Sequence, residues 1–447
     1  MRVLFASVEM YPLAKVGGLG DVAGSLPKHL KKLGVDISVI MPYHLIINVD
    51  AKYETSFKMD GKKFQIYSHK INDLPVYLIK NDFLSRDRVY GYEDHIRWAI
   101  FSKAVIYAAE KLGLDVDIIH CNDWMTGLIP LYARILGKEY KFVLTIHNLK
   151  HQGSFESQIF PHLGIPEDYK DLVIWKGKIN YMKAGIVLAD RVNTVSPTYA
   201  KEILSEEFGE GLEEILRENS HKLVGILNGI DYDVWNPEKD KYIFENYSAK
   251  SIEKRKKNTE KMKEFLGIDD DKPLFGFVAR LVEQKGVDIL VESIKKIDDA
   301  HFVILGTGRK YLEDLLLGIK KDNVHPIIKY DEVLAHRIYA SVDFFLMPSK
   351  FEPCGLGQLI AMRYGAIPVV RKTGGLADTV KDINEGGWGF VFSEYSSEAL
   401  TNAIERAIEF YRSENADSLR IRIMRMDFSW NSSAKEYLNL YKEIISL

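Results

Sequence analysis

At 447 residues the chain is too long for one typical domain, so two or three are expected, and 46% hydrophobic residues are ample for large cores. A net charge of −3 demands no polyanionic partner, which sets nucleic acid aside. Cys121 and Cys354 are the only cysteines, too few for a disulfide framework or a four-cysteine zinc site.

The first element is an apolar strand over 2–8, entered without a signal-peptide pattern. Further strands are expected at Ile37–Met41, Val76–Ile79, Ile118–His120, Phe142–Ile146 and Arg191–Val195, with helices between them, for example at 95–112 and 125–136. Near-continuous apolar strands alternating with helices indicate a parallel sheet covered on both faces. The pattern restarts after Asn228-Gly229-Ile230-Asp231. Residues 231–250, rich in Asp, Asn and Lys with Trp235 and Pro237, read as an interdomain segment. Lys254-Arg255-Lys256-Lys257, interleaved with Glu253 and Glu260, reads as a solvated helix face. Strands then follow at Leu274–Val278, Phe302–Leu305, Val324–Ile328, Phe344–Met347 and Ile367–Val370. After Phe428-Ser429-Trp430 a helical run reaches Leu447 with apolar spacing at Tyr437, Leu440, Tyr441 and Ile444. No apolar run nears the roughly 18 residues of a membrane span. The reading is a cytoplasmic globular α/β protein.

One motif occurs twice. Lys15-Val16-Gly17-Gly18-Leu19-Gly20-Asp21 recurs as Lys372-Thr373-Gly374-Gly375-Leu376-Ala377-Asp378, each copy after a short apolar run and before a helix. A Gly-Gly pair at such a junction lets backbone N–H groups approach a ligand, and the helix dipole favours an anion there. Two copies, one in each half, suggest two α/β lobes closing on one phosphorylated ligand.

Carboxyl ends of parallel strands are where α/β folds bind ligands. Lys15, Gly17, Gly18 and Asp21 follow the first strand; His120, Asn122, Asp123 and Trp124 lie at the end of another; His147 and Asn148 end a third. In the second half Arg280 follows Phe277-Val278-Ala279, with Lys285 five residues on, and Glu352-Pro353-Cys354-Gly355-Leu356-Gly357 follows Phe344–Met347. Arg280 and Lys285 flank a helix start, so two cations and helix amides converge on one diphosphate. His147 serves either a site or the core, and Asp123 either chemistry or a helix cap before Met125. Gly17-Gly18-Leu19-Gly20 misses the dinucleotide-binding spacing, and Asp115-Val116-Asp117 precedes its strand instead of following it, as capping and solvation require and a metal motif does not. His120, Asp123 and His147 lack close metal-ligand spacing.

With these residues in place the chain resembles the bacterial, archaeal and plant starch/glycogen synthase family over essentially its whole length. The matching segments include Ser7–Pro12 with Lys15–Leu19, His120–Trp124, Thr145–Asn148, Lys183-Ala184-Gly185, Thr194–Tyr199, Leu227–Asp231, Arg280-Leu281 with Gln284-Lys285-Gly286, Pro348-Ser349 with Phe351–Leu356, Lys372–Asp378 and Met426–Trp430. The resemblance implies the GT-B fold, two Rossmann-like parallel-sheet domains facing across a deep cleft. It implies an N-terminal acceptor-side domain over 1–226, a nucleotide-sugar domain over 227–425, and a helix over 426–447 crossing back to the first. It further implies retaining transfer of glucose from ADP-glucose or UDP-glucose to an α-1,4-glucan such as glycogen or a maltooligosaccharide, with no cofactor or obligatory metal. A homo-oligomer is compatible with it.

By position, the resemblance assigns Arg280 and Lys285 to the donor diphosphate, with the Gly18 amide opposite and Lys15 at the distal phosphate. Glu352 and the amides of Cys354, Gly355 and Leu356 meet glucose hydroxyls. His147 and Asp123 surround the transferring sugar, Asp21 lies on the acceptor side, and Tyr330 resembles the aromatic that stacks on the base. Gly17 and Asn228 complete the substrate-binding set. Val16 and Gly20 depart from the family's usual Lys-Thr-Gly-Gly-Leu-Ala. Gly357 stands where threonine or a bulkier residue is usual, leaving only a backbone donor to phosphate. A phosphorylase would instead need a lysine carrying pyridoxal phosphate, and a silent glycan-binding protein would need no phosphate clamp.

Overall fold

In the computed structural model, which describes residues 1–413 and 416–446, the apolar runs of the first half become strands of one sheet. The chain forms β1 (Arg2–Ala6), β2 (Asp36–Pro42), β3 (Lys52–Met59), β4 (Lys62–Ile71), β5 (Leu74–Lys80), β6 (Ile118–Asn122), β7 (Lys141–Ile146), β8 (Ser154–Glu156), β9 (Ile174–Trp175), β10 (Lys178–Asn180), β11 (Arg191–Thr194) and β12 (Leu223–Gly225). Nine of them make a sheet in the order β12-β11-β7-β6-β1-β2-β5-β4-β3. Pairing is parallel from β12 through β5, and the hairpin β3–β4 extends it antiparallel. That hairpin departs from the all-parallel expectation. Its strands are half exposed, so they carry alternating charge instead of an apolar run. Its sequence signature is the turn Asp60-Gly61, both at positive φ. A small antiparallel sheet, β8-β10-β9, lies apart from the large one, and Phe155 on its β8 packs edge-on against Trp124 and Tyr181.

The second half forms β13 (Leu274–Val278), β14 (His301–Gly306), β15 (Val324–Ile328), β16 (Phe344–Met347), β17 (Ile367–Arg371) and β18 (Phe390–Phe392). All pair in parallel in the order β15-β14-β13-β16-β17-β18. The chain divides into two compact units, one of residues 1–228 with the C-terminal segment from Trp430, the other Gly229–Ser429. No helix among the described residues is long and apolar enough to cross a membrane.

Residues 231–250, read from composition as an interdomain segment, are instead packed into the second unit. Trp235 stacks on His336 at 4.0 Å between ring centroids, and buried Asp240 accepts from His336 Nδ1 at 2.7 Å and Tyr364 Oη at 2.6 Å. The linker-like composition reflects local turns: Asp231, Asn236 and Asp240 each accept the amide two residues on. The cationic run is not wholly solvated either. Arg255 is buried, its Nε donating to the Tyr364 carbonyl at 2.9 Å.

The helix Trp430–Ile445 packs on the first unit by the expected face, Tyr437, Leu440, Tyr441 and Ile444. Two of its tyrosines join a buried polar chain. Tyr441 donates to His120 Nδ1 (2.6 Å), His120 Nε2–H to Thr145 Oγ1 (2.6 Å), Thr145 to Asn193 Oδ1 (2.7 Å), and Asn193 Nδ2 to Tyr437 Oη (2.9 Å). A Tyr441 hydroxyl that donates to Nδ1 requires neutral His120, and burial pushes its pKa down to about 3. Burial likewise depresses His44 to about 4 and His147 to about 3. Depressed native values mean the unfolded chain binds more protons below its ordinary histidine pKa. The stability these three histidines contribute is therefore full above about pH 6.5 and falls as pH drops from there towards about 3. Thermal unfolding between pH 8 and 4.5 should show this fall. Tyr441→Phe, which strands His120 Nδ1, should cost about 1–3 kcal/mol.

Candidate functional site

In the first unit the loop after β1 turns back through a bridge between Met10 and Ala14, then enters the helix Gly18–Lys32. Glu9, 2% exposed, organises it: Oε2 accepts the amides of Val16 at 2.7 Å and Gly17 at 2.9 Å, while Oε1 accepts the Tyr90 hydroxyl. The Gly17 amide, expected to face a ligand, is thus committed to Glu9. Gly18 begins the helix, and its N–H has no partner among the described residues. Lys15 pairs with Asp21 at 2.7 Å.

Asp123 and His147 meet at the ends of β6 and β7. The Asp123 carboxylate does not cap the following 3₁₀ turn; its Oδ1 accepts the His147 amide at 2.7 Å. Its own amide donates to the Thr145 carbonyl, and φ of 56° places it in the left-handed region that non-glycine residues seldom adopt. Burial pushes its pKa up to about 7, opposed by the amides of His147 and Asn148 and aided by the Glu9 charge. His147 is half-buried and neutral, donating from Nε2 to Asn122 Oδ1 at 2.9 Å. Asn122 is itself fixed through Nδ2 on the Ala6 carbonyl at 3.0 Å. His120, by contrast, belongs to the core described above. Asn228, last residue of that unit's main segment, is buried, and its Oδ1 has no hydrogen-bond partner among the described residues.

In the second unit Lys285 and Glu352 form an ion pair, Nζ to Oε2 at 2.7 Å and to Oε1 at 3.0 Å, and Ser349 Oγ donates to Oε2 at 2.8 Å. The carboxylate is 6% exposed and the lysine 18%. Separate tasks for the two, charge for one and hydroxyls for the other, are therefore coupled before any ligand arrives. Arg280 is exposed and makes no ion pair among the described residues. Tyr330, just past β15, is 80% exposed.

The two glycine motifs differ in use. A Cβ on Gly17 or Gly18 would meet nothing within 4 Å, so that junction is open. A Cβ on Gly374, φ 44°, would sit 1.9 Å from the Glu352 carbonyl oxygen, and one on Gly375 2.0 Å from that of Cys354. The Gly375 amide also donates to the Glu352 and Pro353 carbonyls at 3.1 Å. The second motif thus clasps the Glu352–Gly357 loop, while the first stays open. In that loop Leu356 precedes the helix Gly357–Arg363, and a Cβ on Gly357 would lie 3.1 Å from the Phe345 ring. Buried Cys354 is a packed thiol whose carbonyl accepts from Gln358 at 3.1 Å, and Gly355 holds its turn at φ 75°.

Glu9 and Ser349 escaped the reading of candidate residues. For Glu9 the available signal was a carboxylate inside the apolar stretch Val8-Glu9-Met10, where burial demands a partner. Ser349 carried only its place in the matched segment Pro348-Ser349.

Comparison with known proteins gives these sites a context. The family model described as starch synthase catalytic domain matches residues 2–218, and that of glycosyl transferases group 1 matches 258–420. A glycogen synthase of Thermosipho africanus is 45% identical over 483 residues, spanning 100% of this chain and 99% of the relative. One of Aquifex aeolicus is 45% identical over 467 residues, spanning 100% of both. Among solved structures, the catalytic domain of starch synthase IV from Arabidopsis thaliana, bound to ADP and acarbose, matches with TM-score 0.92 and 34% identity over 100% of this chain and 99% of that one. A sucrose-phosphate synthase from Thermosynechococcus elongatus, at TM-score 0.67 and 16% identity over 100% and 99%, shares the fold alone. Two parallel-sheet α/β units, matched from end to end by glucan-synthase relatives, make this a GT-B glycosyltransferase, and the chain belongs to the glycogen synthase family.

Proposed function

We propose that this glycogen synthase uses ADP-glucose in preference to UDP-glucose and adds glucose, with retention, to the non-reducing end of an α-1,4-glucan without a metal. ADP in the starch synthase IV relative supports the base preference. The observation that carries the chemistry is the two cations that follow β13: Arg280, exposed and without an ion pair among the described residues, and Lys285, held on Glu352. Breaking the bond between glucose C1 and a diphosphate builds negative charge on the leaving group. Two cations at one strand end answer it as preorganised charge stabilisation. Glu352, fixed by Lys285 and Ser349, is positioned to accept sugar hydroxyls, with the amides of Cys354, Gly355 and Leu356 and the backbone at Gly357 beside it. Tyr330 offers an exposed ring for the base. On the first unit, Lys15 and the Gly18 amide supply further positive potential, Asp21 the acceptor side, and Asp123 and neutral His147 polar contacts for the sugar.

For retention the acceptor hydroxyl arrives on the face the diphosphate leaves, so the leaving phosphate takes its proton, and no carboxylate nucleophile is assigned. Donor competition is the test: kcat/KM for ADP-glucose should exceed that for UDP-glucose, and equality or reversal overturns the preference. Chelator-treated enzyme should keep its activity; loss restored by magnesium overturns the metal-free reading.

A further inference from the structure

The open glycine junction owes its shape to a residue that touches no proposed substrate. Glu9 is 2% exposed, yet its carboxylate has a full set of donors: the Val16 and Gly17 amides on Oε2 and the Tyr90 hydroxyl on Oε1. Val16 itself is 56% exposed, so its amide bond to a buried carboxylate is not a by-product of side-chain packing. The Gly20 amide closes on the Gly17 carbonyl at 3.1 Å. That leaves Gly18 and Leu19 as the amides of this junction without a partner among the described residues. The packing is close: a Cβ on Gly20 would lie 3.1 Å from Glu9 Oε2 and 2.9 Å from Lys15 Cγ. Glycine at 20, where the family usually has alanine, therefore lets the carboxylate and the Lys15 stem share one space.

We infer that Glu9 is a positioning residue, which holds the Val16 and Gly17 amides on its carboxylate and so presents the Gly18 and Leu19 amides to an anionic ligand. A fixed carboxylate also orders the competition. An incoming phosphate cannot draw on all four amides, so the loop meets it in one register. The inference rests on the proposed phosphate role of this junction, but its first test does not.

Hydrogen exchange over residues 14–20 of the ligand-free enzyme should show slow amides at Val16 and Gly17, fast in Glu9→Ala and slow again in Glu9→Gln, whose amide oxygen still accepts both. Glu9→Ala should lose kcat/KM for the nucleotide-glucose on the order of 10²-fold, the scale of a misplaced contact. Glu9→Gln should keep most of it. Should Glu9→Ala fail to fold, Glu9→Asp withdraws the carboxylate by one methylene and takes its place. Unchanged exchange in the Ala or Asp variant overturns the clamp. Equal losses in Gln and Ala, with exchange restored in Gln, also overturn positioning, because charge alone would then matter. Normal exchange changes with unaltered kcat/KM would keep the clamp but remove the phosphate role from this junction.

Discussion

Arg280→Ala is expected to lower glucosyl transfer by on the order of 10²–10³-fold while leaving the melting temperature unchanged. The guanidinium is exposed and holds no ion pair among the described residues, so the folded protein loses nothing when it goes. In the reaction it meets charge that develops as the diphosphate departs, and the loss of one such donor raises the barrier by about 2.7–4 kcal/mol. Steady-state rates and thermal unfolding of the one variant decide the matter. A fall in rate matched by a fall in melting temperature would make Arg280 structural.

Lys285 and Glu352 are expected to behave as a coupled pair that ADP distinguishes. Each truncation leaves the other charge in a site of low exposure, 18% for the lysine and 6% for the carboxylate. Breaking a buried pair costs about 3–5 kcal/mol, the lower end applying where one partner still reaches solvent. Both alanine variants should therefore melt earlier than the parent. The signs then separate. In Glu352→Ala the stranded ammonium gains a counter-charge when ADP binds, so saturating ADP should raise the melting temperature by more than in the parent. In Lys285→Ala the stranded carboxylate faces the incoming diphosphate, and the ADP shift should shrink or vanish. Transfer falls in both. Equal ADP shifts in the two variants would sink the assignment of Lys285 to the diphosphate.

Much of this was legible in residue order. Parallel core strands such as Ile118–Asn122, Leu274–Val278 and Phe344–Met347 are buried on both faces and announce themselves as apolar runs. The helix after Ser429 declared its buried face by spacing alone. Those signals are local, because burial on a regular element repeats with the element's own period. The edge hairpin β3–β4 gave no such run, since half of each strand meets water; only Asp60-Gly61 marked it.

What the tertiary structure decided are the pairings between distant positions. Two copies of one heptad read alike in sequence, yet the first stays open and the second clasps the Glu352 loop, because each glycine's neighbour comes from elsewhere in the chain. The same holds for Asp123, whose carboxylate does not cap the turn that follows it but accepts the His147 amide 24 positions away. It holds for Arg255, which a charged run presented as solvated and the Tyr364 carbonyl buries. Composition and periodicity report what a residue prefers; only the packed chain reports which partner satisfied it, since burial makes every charge and amide depend on a donor or acceptor that sequence spacing does not encode.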